Sequence, residues 1–110
     1  MEQGDGGAGM TAFIRLSRAL AKSEEDRLFF ECPGCQMVHG ISHGPGPGPR
    51  WGWNGNVERP TFTPSVLVRY RWSDGDRVCH SFVTDGRIQF LGDCTHALAG
   101  QTVDLSDWED

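Results

Sequence analysis

Residues 77–91 read RVCHSFVTDGRIQFL, and this stretch decides the fold class. Asp85-Gly86 suits a two-residue hairpin turn, whose two central positions both need positive φ. It stands between two runs rich in β-branched and aromatic residues, Arg77–Thr84 and Arg87–Leu91, so the stretch is predicted to be an antiparallel hairpin. That turn sets Thr84 opposite Arg87, Val83 opposite Ile88, Ser81 opposite Phe90 and Cys79 opposite Gly92. Side chains alternate between faces along each strand. One face therefore carries Cys79, Ser81, Val83, Ile88 and Phe90, with Cys94 added if the strand continues. It holds most of the apolar residues and is read as the inner face; His80 and Phe82 point the other way.

The same period continues outward. Val66, Val68, Tyr70 and Trp72 alternate with Leu67, Arg69 and Arg71, the pattern of a half-buried strand. Pro60 and Pro64 bracket an extended Thr61-Phe62-Thr63, and Asn54-Gly55 marks a turn after Trp51 and Trp53, which share one strand face. Gly44–Pro49 alternates glycine with proline and is predicted to be an exposed loop, because proline lacks a donor and glycine lacks a side chain to pack. Leu28–Glu31 leads into Cys32-Pro33-Gly34-Cys35, and Gln36–Ile41 leads out. Thr11–Lys22 is ambiguous: Phe13, Leu16 and Leu20 fall on one helical face, but a helix of that length is marginal unless it docks. The reading is a mainly β protein, a small zinc-ribbon-like antiparallel sheet, with a short N-terminal helix left open. Residues 1–10 are expected to be a disordered leader and residues 11–110 a single domain.

A chain of 110 residues buries only a modest core, near the size at which metals or disulfides often supply the missing stability. Its 15 glycines and 6 prolines leave little material for long helices. No secretory signal pattern and no run of about 18 apolar residues is visible, so no membrane is expected and the default compartment is the cytoplasm. There, four cysteines are read as metal thiolates before disulfides. A formal net charge of −5 argues against a general nucleic-acid binder. Arg50, Arg59, Arg69, Arg71 and Arg77 keep a local basic face open as an alternative.

Cys32-x-x-Cys35 is the first half of many structural zinc sites, since one tight turn aims both thiolates at one ion. The other half must come from far along the chain. The expected Zn2+ ligands are Cys32 and Cys35, then Cys79 from the inner hairpin face, with Cys94 or His96 in the fourth place. His39 and His43 border the flexible loop and rank below these; His80 becomes a ligand only if the register slips by one. Two other readings stand beside this one: Cys79 and Cys94 as plain core residues, and Cys32–Cys35 as a redox pair.

Several strings in order, CPGC (32–35) with His39, WGWNG (51–55), PTFTPS (60–65), CHSFV (79–83), GRIQFL (86–91), DCTH (93–96) and LAGQTV (98–103), resemble a family of short phage and prophage Cys/His proteins. Automated labels in that family often read "ammonia monooxygenase" or "anaerobic dehydrogenase". The resemblance covers roughly residues 28–105. It implies a phage or prophage origin and a Cys/His metal centre. Some relatives carry Ser where Cys94 stands, which favours His96 as ligand. Members also sit beside ubiquitin-like conjugation genes, which implies a role in protein tagging. The labels themselves conflict with the residues, because an ammonia-oxidising enzyme of that kind needs membrane spans and a redox metal site.

The function expected from these readings is a phage-derived structural-zinc protein acting without catalysis, as a binding or accessory protein whose partner is another protein. Trp51, Trp53 and Trp72 would offer the surface. The alternatives are a zinc-dependent hydrolytic enzyme using His80, His96 and Asp93, and a nucleic-acid-associated zinc module using the central arginines.

Overall fold

The computed structural model describes residues 13–23, 26–73 and 75–108. Among these the chain is all β, built as two antiparallel sheets that share one core. In chain order the strands are β1 (Ile14–Arg15), β2 (Ala21–Lys22), β3 (Arg27–Cys32), β4 (Met37–Ser42), β5 (Gly52–Trp53), β6 (Phe62–Trp72), β7 (Gly75–Thr84), β8 (Arg87–Phe90) and β9 (Thr102–Asp104). The first four form one sheet in sequence order; the other five form the second, ordered β9-β8-β7-β6-β5. The expected leader, residues 1–10, lies outside the described residues.

The β7–β8 hairpin takes the register its turn dictates, with Thr84 opposite Arg87, Val83 opposite Ile88 and Ser81 opposite Phe90. Asp85 and Gly86 have φ of 54° and 78°, as a primed turn requires. Cys79, Ser81, Val83, Ile88 and Phe90 are all buried. They meet Leu28, Phe30, Cys32 and Ile41 of the other sheet, and Phe30 stacks on Phe62 across the interface at 6.0 Å. β8 ends at Phe90, so Cys79 does not pair with Gly92; the chain leaves the ladder but stays beside β7.

The short N-terminal helix does not form. Ile14–Arg15 and Ala21–Lys22 pair as a hairpin instead, and β2 adds to β3 through Ala21–Phe29 and Lys22–Leu28. Ser17 stabilises the bend, its Oγ accepting from the Ala19 and Leu20 N–H groups and donating to the Val57 carbonyl. The three apolar residues at helical spacing serve different surroundings. Leu20 is fully buried, while Phe13 is exposed and edges onto Phe29 and Trp108. A strand edge satisfied by β3 outcompetes a helix of about three turns with no groove to dock into.

β6 is irregular where it matters. Phe62 pairs with Val83 and Val66 with Ser81, so three residues of β6 (Thr63, Pro64, Ser65) stand where β7 has one. Such a bulge bends the strand and re-aims side chains. Beyond it the alternation is regular, with Val66 buried and Leu67 and Arg69 outward.

Candidate functional site

The outer face of the five-stranded sheet carries a chain of three polar side chains. His80 projects outward from the middle of β7, opposite Leu67 of β6. The bulge before Val66 brings Ser65 onto the same face, and its Oγ lies 3.0 Å from His80 Nε2. On the other side of the ring, His80 Nδ1 lies 3.1 Å from Asp93 Oδ2. An ionised carboxylate only accepts, so Nδ1 carries the proton and donates to Asp93. Nε2 of the neutral ring is then an acceptor, and the Ser65 hydroxyl donates to it. The tautomer follows from the partners.

Each member is held by its backbone. The segment after β8 runs along β7: the Leu91 N–H donates to the His80 carbonyl at 2.9 Å, and the Thr95 N–H to the Val78 carbonyl at 2.9 Å. Asp93 sits between these anchors. Cys94 grips the main chain of His80 from both ends, its Sγ accepting from the His80 N–H and donating to the His80 carbonyl, each at 3.2 Å. The Ser65 carbonyl accepts from Trp51 Nε1 at 3.1 Å. Asp93 remains open to water, with 57% of its side chain exposed against 25% for His80. Leu67 and Phe82, both exposed, flank the chain on the same face.

A second cluster lies on the inner side of the same strand. One ligand atom each from Cys32, Cys35, His39 and Cys79 falls within 4.8 Å of the others. The Cys32–Cys35 turn is a tight knuckle in which the Gln36 N–H donates to the Cys32 carbonyl at 2.8 Å and the Cys35 N–H to Cys32 Sγ at 3.4 Å. The left-handed residue of that turn is Gln36, with φ 59°. Gly34 is needed for a different reason: a Cβ there would overlap the His96 ring. Gly34→Ala is therefore expected to destabilise the protein by about 1–3 kcal/mol, read as a lowered Tm in thermal unfolding; an unchanged Tm would show that the His96 ring swings aside freely.

Cys32 and Cys79 face each other at 3.8 Å and are both buried free thiols. The contact with Cys79, joined by His39, holds Cys32 down to about 4. Cys79 is pushed up, by the same contact and by burial. Cys35 is raised mainly by burial, and Tyr70, which bonds to it, is pushed to about 12. Crowding thiols that resist ionising is unfavourable unless a cation completes the site. His39 adds an independent sign. It is buried, and no hydrogen bond from the described residues reaches its Nε2. Three thiols and an imidazole, one of whose buried nitrogens lacks a partner, fit a tetrahedral metal ion.

Of the expected ligands, the structure thus groups Cys32, Cys35 and Cys79 and adds His39. Cys94 and His96 form a second grouping with Cys79, which supplies only three donors. Cys94 is occupied with the His80 main chain; His96 Nδ1 accepts from the Leu98 N–H at 3.2 Å, while its buried Nε2, like that of His39, has no partner among the described residues. Ser65 is the residue that sequence reasoning passed over. The signal was available in the strand parity, which sets Ser65 on the face of Leu67 and His80 on the outer face of its neighbour.

A family model described as "Bacterial ubiquitination-like system serine protease (BubE)" matches residues 11–91, and the chain belongs to that family. No curated protein and no solved structure matches it. The match corrects the expected function: the family is one of serine proteases, so the reading of a phage-derived accessory protein acting without catalysis, with its zinc-hydrolase and nucleic-acid alternatives, is overturned, while the Cys/His cluster itself stands. The physical cause of the error is that the cysteines announce themselves in sequence, whereas a Ser/His/Asp set is assembled only by strand pairing.

Proposed function

From that membership, we propose that the protein is a serine protease of a bacterial ubiquitination-like system, with Ser65 as nucleophile, His80 as general base and Asp93 as the residue that orients the imidazole. The observation that supports it is the continuous link Asp93 Oδ2–His80–Ser65 Oγ, with separations of 3.1 and 3.0 Å. As Ser65 Oγ attacks a peptide carbonyl carbon, its proton passes to His80 Nε2. Asp93 stabilises the resulting imidazolium through Nδ1–H. The protonated Nε2 then gives its proton to the leaving amine, which departs and leaves an acyl ester on Ser65. Water, deprotonated by the same nitrogen, hydrolyses that ester and restores the serine.

The Cys32–Cys35–His39–Cys79 centre is assigned Zn2+ on the chemistry of its donors, since three sulfurs and an imidazole suit that ion in a reducing compartment such as the cytoplasm. Four protein ligands leave no open position, so the ion supplies structure and not a Lewis acid. Its role is to hold Cys79 and, through the adjacent peptide, His80. The polypeptide substrate is the protein partner. No helix among the described residues is long and apolar enough to cross a membrane.

A fluorophosphonate probe tests the assignment. It is expected to add covalently to the native protein, with mass-spectrometric mapping placing the adduct on Ser65 and prior heat denaturation abolishing it. Labelling at another serine, or none, would remove Ser65 from the role of nucleophile.

A further inference from the structure

Among the described residues, β6 has one side without a partner strand next to Ser65. β5 covers it only at Thr63 and Phe62, so Val66–Trp72 has β7 on one side and no described strand on the other. The hydrogen-bond pattern says which groups face that open side. In an antiparallel ladder, pairs alternate between those that exchange main-chain bonds and those that do not. The His80 carbonyl accepts from the Leu91 N–H, and the His80 N–H goes to Cys94 Sγ, so neither points at β6. Val78 likewise sends both main-chain groups to Thr95. Leu67 and Arg69, their partners on β6, therefore belong to the non-bonded pairs, and their own N–H and C=O groups point away from β7. The Ser65 carbonyl points the same way, since Trp51, beside β5, caps it.

Resting on the serine-protease reading, we propose that this edge is the substrate-binding strand: the substrate is an extended polypeptide segment that adds to β6 along Leu67 and Arg69 and delivers its scissile carbonyl to Ser65. An unpaired edge offers donors and acceptors at alternate residues, which a second chain satisfies only in extended form. The Trp51 indole and β5 close the edge on the far side of Ser65. The strand-like part of the substrate therefore lies on one side of the scissile bond, and the remainder leaves the sheet. The outer face beside this strand sets the side-chain preference. Leu67 and Phe82 present apolar surface next to the triad, and Arg69 is an exposed cation. The segment taken is one with an apolar side chain near the cleaved bond and an acidic one farther along the edge.

The test uses wild-type protein and a proteome-derived peptide library, with cleavage read by mass spectrometry. Cleaved peptides should lack proline on one side of the scissile bond and be enriched in Asp or Glu there, an enrichment that Arg69→Glu removes. One cleaved peptide is then resynthesised with single N-methyl groups at successive positions. Turnover should fall by about tenfold or more at every second position, where the N–H would pair with β6, and hold at the intervening ones. Uniform tolerance of N-methylation, or free acceptance of proline, would overturn the strand. Fluorophosphonate labelling of Ser65 separates the two failures. Labelling without any cleavage of the library counts against the edge, whereas absence of labelling brings down the protease reading and the edge with it.

Discussion

Removal of the metal by a strong chelator is expected to unfold the protein, and Cys79→Ser is expected to do so without a chelator. Structural zinc in small sites contributes on the order of 10–16 kcal/mol of apparent binding free energy at neutral pH. The whole stability of a domain is about 5–15 kcal/mol. An ion bound there would therefore be worth as much as the fold. Cys32 and Cys35 come from one sheet and the turn after it and Cys79 from the other, so an ion held by all three would tie the two sheets together. Burial and the neighbouring sulfur hold Cys79 and Cys35 towards the protonated form, while the contact with Cys79 favours ionisation of Cys32. Metal binding should therefore release protons, and affinity should weaken as pH falls. Circular dichroism on chelator-treated protein and on Cys79→Ser tests the first point, and calorimetry in buffers of different ionisation enthalpy the second. A metal-free protein with an unchanged Tm would make the cluster a set of ordinary buried thiols.

The two halves of this molecule differ in how openly the sequence declares them. The β7–β8 hairpin is written in local terms: Asp85-Gly86 fixes the turn, and a period of two then places every side chain from Cys79 to Phe90. Cys32 and Cys35 announce a metal knuckle, and parity brings Cys79 to the same side. His39 is hidden by its place in the chain, close to the Gly-Pro loop, which suggests solvent. Its true environment comes from pairing with Phe30, two residues from Cys32 on the same face of β3. A hairpin closed at Cys32 and Met37 would have placed it there. Ser65 is harder. Its outward direction follows from alternation with Val66 and Leu67, but its reach to His80 depends on the bulge between Phe62 and Val66, which no local propensity specifies. Asp93 depends on a segment that leaves the ladder and is tied back by Cys94 and Thr95. The N-terminal hairpin was unreadable for a related reason: three apolar residues cannot separate a helical period from a bend, and β3 makes the choice.

The sharpest kinetic expectation concerns unequal members of the triad. Ser65→Ala and His80→Ala should each lower kcat/KM on a cleaved peptide by about ten-thousandfold to a millionfold, because the pair works as a unit. The double variant should be no worse than either single one. Asp93→Asn should cost less, about a hundredfold to a thousandfold. The charge of a buried carboxylate acts through protein, whereas 57% of the Asp93 side chain faces water, which screens its field on the imidazolium. What Asp93 still supplies is the tautomer, since an amide at that position can present its NH2 to Nδ1 and turn the ring the wrong way. Asp93→Ala, which removes the acceptor without offering a donor, should then be milder than Asp93→Asn. All four single variants leave the core untouched and should match the wild type in circular dichroism. Equal losses for Asp93→Asn and His80→Ala would mean that the carboxylate is sequestered from solvent during turnover. Retention of a tenth or more of the activity in Ser65→Ala would mean that the hydroxyl 3.0 Å from His80 is not the one that attacks.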